Sequence, residues 1–493
     1  MYYKSTRGLE GRIKSSSAII RGIAADGGLY IPEEIPAIGR PFEDLFRLGY
    51  RDIALSIIGK FFTDYTEEEL GYCINKAYDS KFDDPGIVPI KEKGGVFFLE
   101  LFHGETLAFK DIALSILPHL LKSAVRKINI DKEVVILTAT SGDTGKAALA
   151  GFAGVDGTKI IVFYPHGGIS RIQERHMRTQ EGDNTYVVGV RGDFDDTQRG
   201  VKRIFSDEDF NRILDKEGYI FSSANSINIG RLIPQIVYYI YAYVKLRESG
   251  KIKRGESINI VVPTGNFGNI LAAYYSKKMG LPVNKLICAS NANNVLYDFI
   301  KTGTYDRKRK LIATSSPAMD ILVSSNLERL LYDISGRSSK TIVNLMDGLN
   351  RKGEFKVTDG MRKEMADFYG GFAADSETSE TIKYVFSNLG YLIDTHTAVG
   401  FNVYQKYLKD SGDDTKTVIA STASPFKFPG SVCVAIDSKY AGMDEFLLLD
   451  VLSDISGLEV PGTIKSLKEK EILHSTVCNF NEMKDIISDI LGL

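Results

Sequence analysis

The sequence predicts an α/β protein in which parallel, twisted sheets are covered by helices in a larger and a smaller domain, with a helical domain ahead of them. Three observations carry this expectation. A chain of 493 residues exceeds what one hydrophobic core serves, so two or more domains are expected. From about residue 134, short β-branched runs alternate with amphipathic stretches: EVVILTAT precedes SGDTGKAALAGFAG, and TKIIVFYP precedes SRIQERHMRTQEG. NTYVVGV then precedes DFDDTQRGVKRIFSD, and INIVVPT precedes GNFGNILAAYYSKKMG and KLICAS. Continuously apolar strands separated by helices are what a parallel sheet buried on both faces requires. The third observation is helical periodicity early in the chain, in FEDLFRLGYRDIALSIIGKFF and EEELGYCINKAY.

Taken in order, residues 1–92 are expected to form the N-terminal helical domain, with a Pro-flanked turn at LYIPEEIP. Residues 93–133 and 226–435 form the larger α/β domain, and 134–225 a smaller, mobile one. KTVIASTAS is a further buried strand, ending in small hydroxyl residues. Residues 436–493, beginning near EFLLLDVLSDISG, form a C-terminal cap.

Composition narrows the class. Hydrophobic content of 43% and charged content of 25% are ordinary for a soluble globular enzyme. A formal net charge of −2 gives no reason to expect nucleic acid or an anionic membrane as partner. Cys73, Cys288, Cys433 and Cys478 lie far apart, which argues against a zinc site or disulfide framework and fits a reducing cytoplasm. The six histidines are scattered without an HExxH, so no metal is expected. No segment reaches the roughly twenty apolar residues needed to span a bilayer, and the N-terminus lacks a secretory h-region. A soluble cytoplasmic enzyme acting on a small molecule is the expectation.

In open α/β sheets, ligands bind beyond the carboxyl ends of strands, and loops of that kind stand out here. In VVPTGNFGNILAA, Gly265, Asn266, Phe267, Gly268 and Asn269 join a strand to a helix. Glycines three apart remove Cβ atoms where backbone N–H groups converge on an anion, which suits a phosphate. The alternative is a tight turn needing glycine only for its dihedral freedom. In LTATSGDTGKAALAG the Walker pattern fails at Thr140 and at Ala147. Ser141, Gly142, Asp143 and Thr144 remain at a helix start, suited to a carboxylate or second phosphate, or serving as a plain N-cap. At STASPFKF, the hydroxyls of Ser421, Thr422 and Ser424 either reach a ring nitrogen or satisfy the backbone locally. Finally, FHGETLAFKDIAL puts Lys110 at the start of a helix among Ala108, Phe109, Ile112 and Ala113. A cation is disfavoured there by the helix dipole, so the lysine reads as chemical and not as an ordinary surface charge. A phosphate cradle, an anion loop and an amine together suit pyridoxal phosphate, whose aldehyde condenses with lysine.

With these residues in view the chain resembles threonine synthase, a pyridoxal-phosphate enzyme of fold type II. The resemblance runs in the family's order through YKSTRG, GIAADGGLYIPEEIP, HGETLAFKD, ATSGDTGKAA, GDFDDTQ, ANSINIGRLIPQIVYY, VPTGNFGNILAA, DTHTAVG and STASPFKF. It implies that Lys110 condenses with the cofactor, that residues 265–269 bind its phosphate and that Thr422 faces the pyridine nitrogen. A neutral partner there favours elimination and replacement over transamination. It implies too that Asp143 lies near the cofactor's 3-oxygen and that Ser141, Gly142 and Thr144 contact substrate anions. Lys427 and Arg231 are candidates for the substrate phosphate, with structural salt bridging as the alternative.

The chain departs from the family pattern in two places. Glu105 stands where the family often has proline in HGPT, and Ser424 where it has histidine in TAHPAKF. The reaction implied is O-phospho-L-homoserine plus water giving L-threonine and phosphate, by a monomer or homodimer. A related phospholyase or dehydratase releasing 2-oxobutyrate is the alternative within the fold, and a non-catalytic metabolite-binding homologue the alternative outside catalysis.

Overall fold

The structure, a computed structural model, describes every residue except Ser141 and the side chain of Asp195. Its larger sheet runs in the order Phe368–Phe372, Val283–Ser290, Ile258–Pro263, Thr417–Ser421, Val96–Glu100 and Ile90–Lys93. All neighbours are parallel except the last strand, an antiparallel edge. The central strands INIVVP and TVIAS are buried along their whole length, as helices on both faces demand. Val261 pairs with Ile419 and Ser421 with Glu100. That register brings the carboxyl ends of the two central strands side by side, so the loops starting at Thr264 and Thr422 leave the sheet together.

The smaller sheet is wholly parallel: Val477–Asn479, Thr185–Arg191, Thr158–Pro165, Glu133–Ala139 and Tyr219–Ser222. Alternate residues of its strands serve different cores. Val135, Leu137, Ile161 and Phe163 pack in a core of their own with Val188, Val201 and Ile487. Val134, Ile136, Ile160 and Val162 join the main core. Period-two alternation thus fastens one face of the sheet to the body and covers the other with its own helices. The last part of the chain completes this layer. Its strand Val477–Asn479 adds to the sheet edge beside Thr185–Arg191, and its helix Met483–Leu491 supplies Ile487 to the same core.

Residues 1–92 hold the helices Ser15–Arg21, Tyr50–Phe61 and Glu67–Ala77, the last opened by a Thr66–Glu69 capping box. They also hold a three-stranded antiparallel sheet of Tyr2–Ser5, Ile13–Lys14 and Tyr30–Pro32, whose strands are too short to show alternation in the sequence. Tyr65 and Tyr78 donate their hydroxyls to the carbonyls of Leu120 and Ile112. Those bonds seat the segment on the helix Lys110–Lys127. No helix among the described residues is long and apolar enough to cross a membrane.

Candidate active site

Lys110 is the first residue of its helix, and a structured loop aims it. The buried carboxylate of Asp111 accepts from Thr106 N at 2.8 Å and Thr106 Oγ1 at 2.5 Å, which folds residues 104–107 back over it. Leu107 takes a left-handed φ of 57°. The turn is closed at Gly104, where a Cβ would lie 2.5 Å from Asp111 Cβ. The segment then zips to the strand end beside it: Phe109 N donates to Thr422 O at 2.9 Å and Ser424 N to Leu107 O at 3.0 Å. These bonds hold Lys110 next to Thr422, and the side chains of both are buried. Ser424 Oγ accepts from Phe426 N and caps the short turn Pro425–Lys427.

The Lys110 ammonium donates to Asp143 Oδ2 at 3.1 Å. Burial pulls its pKa below the usual lysine range, and Lys427 pulls the same way, while Asp143 opposes. Asp143 is therefore central. Its helix, Asp143–Phe152, begins at Gly142 with no side-chain cap. Capping falls instead to Thr140 Oγ1, which accepts from Gly142 N and Gly145 N at 3.0 Å each. The Asp143 carboxylate is thereby left for Lys110, for Lys427 at 3.1 Å and for Gln173 Nε2 at 3.1 Å. Burial alone would raise its pKa, but Lys110 and then Lys427 outweigh that and hold it far below the ordinary carboxylate range. Gly142 lies at φ 138°, and a Cβ there would meet the Gln173 amide at 2.7 Å. Thr144 is half-buried in the first turn. Ser141, also expected at this site, lies outside the described residues.

The glycine loop is built by a different logic. Phe267 takes a left-handed φ of 64° and the helix Gly268–Lys278 follows. A Cβ on Gly265 would sit 2.6 Å from the carbonyl oxygen of Ala318, so only glycine fits. The loop's carbonyls are tied back: Gly265 O accepts from Ser324 Oγ at 2.8 Å, and Asn266 O from Asn326 N and Nδ2 at 3.1 and 3.0 Å. The backbone N–H groups from Gly265 to Ile270 have no acceptor among the described residues. Asn269 adds another donor. Its Oδ1 accepts from the hydroxyls of Tyr238 and Tyr239, and its Nδ2 is buried without a partner. Unpaired donors converging at a helix N-terminus form an anion-binding site. With the amine of Lys110 and the hydroxyl of Thr422 nearby, these residues fit pyridoxal phosphate.

The remaining expected residues separate. Lys427, buried, donates to Thr106 O at 2.6 Å and pairs with Asp143. Together with Thr106, Gln173, His176 and Lys146 it lines a cavity next to that carboxylate. Arg231 is also buried, with Nη1 on Ala224 O at 2.8 Å, Nε unpartnered and its pKa lowered by burial to about 10. It does not line that cavity. Sequence reasoning missed Gln173, Lys146, His176, Asn326 and the Tyr238–Tyr239 pair. Only the tyrosines, adjacent hydroxyls in an otherwise apolar helix, left a readable signal.

A buried lysine beside an anion cradle at the carboxyl end of a parallel sheet defines a pyridoxal-phosphate-dependent enzyme. Residues 89–423 match the family profile described by that name, Pyridoxal-phosphate dependent enzyme. Residues 2–78 match the Threonine synthase N terminus, and 397–485 the Threonine synthase C-terminal region. The threonine synthase of Pseudomonas aeruginosa is 38% identical over 88% of this chain and 90% of its own length. That of Saccharomyces cerevisiae is 35% identical over 93% of both. Solved structures agree: the pyridoxal-phosphate-bound threonine synthase of Brucella melitensis superposes with a TM-score of 0.88 at 33% identity, covering 100% of this chain and 99% of that one. The chain belongs to the threonine synthase family, and its cofactor is pyridoxal phosphate. Human threonine synthase-like 1 is 37% identical over 97% of this chain, which spans 66% of the length of that relative.

Proposed function

We propose that this chain is a threonine synthase, converting O-phospho-L-homoserine and water to L-threonine and phosphate. The observation that carries the proposal is the buried Lys110 held between Asp143 and the Thr422 strand end, with a cation-lined cavity next to the same carboxylate. When bound, pyridoxal phosphate supplies an electron sink that acidifies the carbons of an attached amino acid.

The chain's own residues do the rest. The N–H groups of residues 265–269 and Asn269 Nδ2 would hold the cofactor phosphate, and the Thr422 hydroxyl would face the ring nitrogen. Asp143 would remain a carboxylate on the cofactor's 3-oxygen side. The Lys110 amine, whose burial favours its neutral form, takes and returns protons at the substrate's carbons. Ser141, Gly142 and Thr144 receive the substrate α-carboxylate and Lys427 the leaving phosphate, while Arg231, outside the cavity that Lys427 lines, holds the backbone at Ala224.

Residues 134–225 have a core partly their own, which supports their moving as a smaller domain over 93–133 and 226–435. Closure keeps bulk water from unsaturated intermediates. The 1–92 segment frames that motion, and the strand and helix that end the 436–493 cap travel with the smaller domain. Four free, buried cysteines suit a cytoplasmic setting. A monomer or homodimer acting on a small molecule completes the proposal.

Incubation with O-phosphohomoserine, with phosphate and threonine measured together, tests it. Equal yields are expected. 2-Oxobutyrate as sole product would replace this function with a phospholyase activity, and no turnover at all would leave a binding protein. Lys110→Ala should remove the visible band that arises where the cofactor condenses with that lysine and lower turnover by at least about 10³-fold.

A further inference from the structure

The geometry points to Lys146 as a specificity-determining residue that shares the leaving phosphate of the substrate with Lys427. This inference rests on the proposed action on a phosphorylated amino acid and names the subsite that reads its phosphate.

Lys146 stands in the first turn of the helix Asp143–Phe152 and is 5% exposed. Its ammonium donates to Gln180 Oε1, a neutral amide. No carboxylate lies within ion-pair distance of it among the described residues. Burial lowers its pKa to about 8, with Glu105 the main opposing charge. A buried ammonium without a counter-ion is costly unless a ligand supplies one, and the surroundings indicate that one does. The side chain lines the small cavity shared by Thr106, Asp143, Gln173, His176 and Lys427, which is water-sized as it stands and takes a phosphate group only when the smaller domain opens. Asp143, the anion in that lining, is already divided between Lys110 and Lys427. The lining therefore carries a surplus of positive charge.

A phosphate ester suits this surplus better than a carboxylate does. Its near-dianionic charge calls for two cations, and its three terminal oxygens accept from several donors at once. Lys146, Lys427 and the imidazole of His176 offer such donors from different elements. A carboxylate is adequately served by the free N–H groups of the helix start. The position also fits. Asp143 lies between Lys110 and the cavity, presenting Oδ2 to the former and Oδ1 to Lys427. A group leaving from the γ-carbon is thus received beyond the carbons at which Lys110 moves protons. Because Gln180 is neutral, Lys146 breaks no ion pair in turning to the phosphate.

The test uses the holoenzyme and inorganic phosphate as probe. Lys146→Met should raise KM for O-phosphohomoserine and weaken binding of inorganic phosphate, measured by calorimetry, each by about tenfold or more. The cofactor's visible spectrum should stay unchanged, and Lys146→Arg should restore most of the affinity. Unchanged KM and phosphate affinity in Lys146→Met would overturn the assignment. Should that variant not fold, Gln180→Glu, which gives Lys146 a carboxylate of its own, is expected to weaken phosphate binding while keeping the lysine. Unaltered phosphate affinity there overturns it equally. If the wild-type protein formed no threonine, the proposed function would fall, while calorimetry with phosphate would still decide the subsite by itself.

Discussion

After the strand Glu133–Ala139 the chain turns into the helix Asp143–Phe152, and after Ile258–Pro263 it turns into Gly268–Lys278. Both turns rely on glycines where a Cβ would collide, yet they treat charge differently. At the first, side chains hold the ions: Asp143 is shared by Lys110 and Lys427, and Lys146 waits on an amide. At the second no ionised side chain takes part. The carbonyls are pinned to Ser324 and Asn326, and what remains is a set of unpaired donors. The difference suits two kinds of guest. A cofactor phosphate that stays is best held by a rigid backbone cradle, preorganised at no cost per turnover. A substrate that arrives and departs is met by exchangeable ion pairs, whose partners trade places as charge enters and leaves.

Breaking the ionic side should have the largest effect on the fold. Asp143→Asn leaves the buried Lys110 and Lys427 without their carboxylate and should destabilise the protein by about 3 kcal/mol in urea unfolding. Since the Asp143 pKa is depressed in the folded state, its contribution is present above the ordinary carboxylate pKa and is lost as pH falls. Wild type and variant should therefore begin to converge as pH falls below about 4. A gap that held constant into acid would deny the carboxylate this role.

On the backbone side, Gly265→Ala forces a methyl against the Ala318 carbonyl. It should weaken cofactor affinity by about 30-fold and cost the apoprotein a smaller share of its stability, because the methyl meets backbone. Equal losses in both would mean the loop serves the fold more than the anion.

A smaller effect sharpens the Lys110 side. His103 Nδ1 meets Asp83 at 2.5 Å and its Nε2 meets Glu100 at 2.9 Å. Burial lowers the pKa of His103, but the two carboxylates outweigh this and raise it to about 9. A raised histidine stabilises fully below its unfolded pKa, and the benefit disappears as pH rises through about 9. Allowing for the solvent-exposed Asp83, wild type should lose about 1 kcal/mol relative to His103→Gln between pH 6.5 and 9. Parallel curves would remove the histidine from the stability of this loop.

Much of this site was legible in the sequence because its signals are local. Lys110 was readable from a cation set against a helix dipole among apolar neighbours. The glycine loop was readable from a strand, two glycines and a helix in succession. Asp143 is more ambiguous, since a carboxylate at a helix start is usually a cap, and only the folded chain shows Thr140 doing the capping. Lys146 lies in the loop where the Walker pattern fails and, like Gln173 and His176, gives no sign in the sequence, because the meaning of all three lies in which cavity they face. The strands at the N-terminus escaped for a related reason: runs of two to four residues carry too little periodicity to register.

By itself the sequence determined the alternation of strands and helices, the glycines that permit close backbone approach, and the amine of Lys110 at a helix start among apolar neighbours, because each is set by neighbours along the chain. Tertiary structure alone decided that Asp143 would be shared between two lysines and that Asn269 would spend its oxygen on two tyrosines and keep its nitrogen free. It alone decided, too, that Lys146 would be buried without a counter-ion. Charge pairing and burial depend on distances between segments far apart in sequence, and only the packed chain fixes those distances.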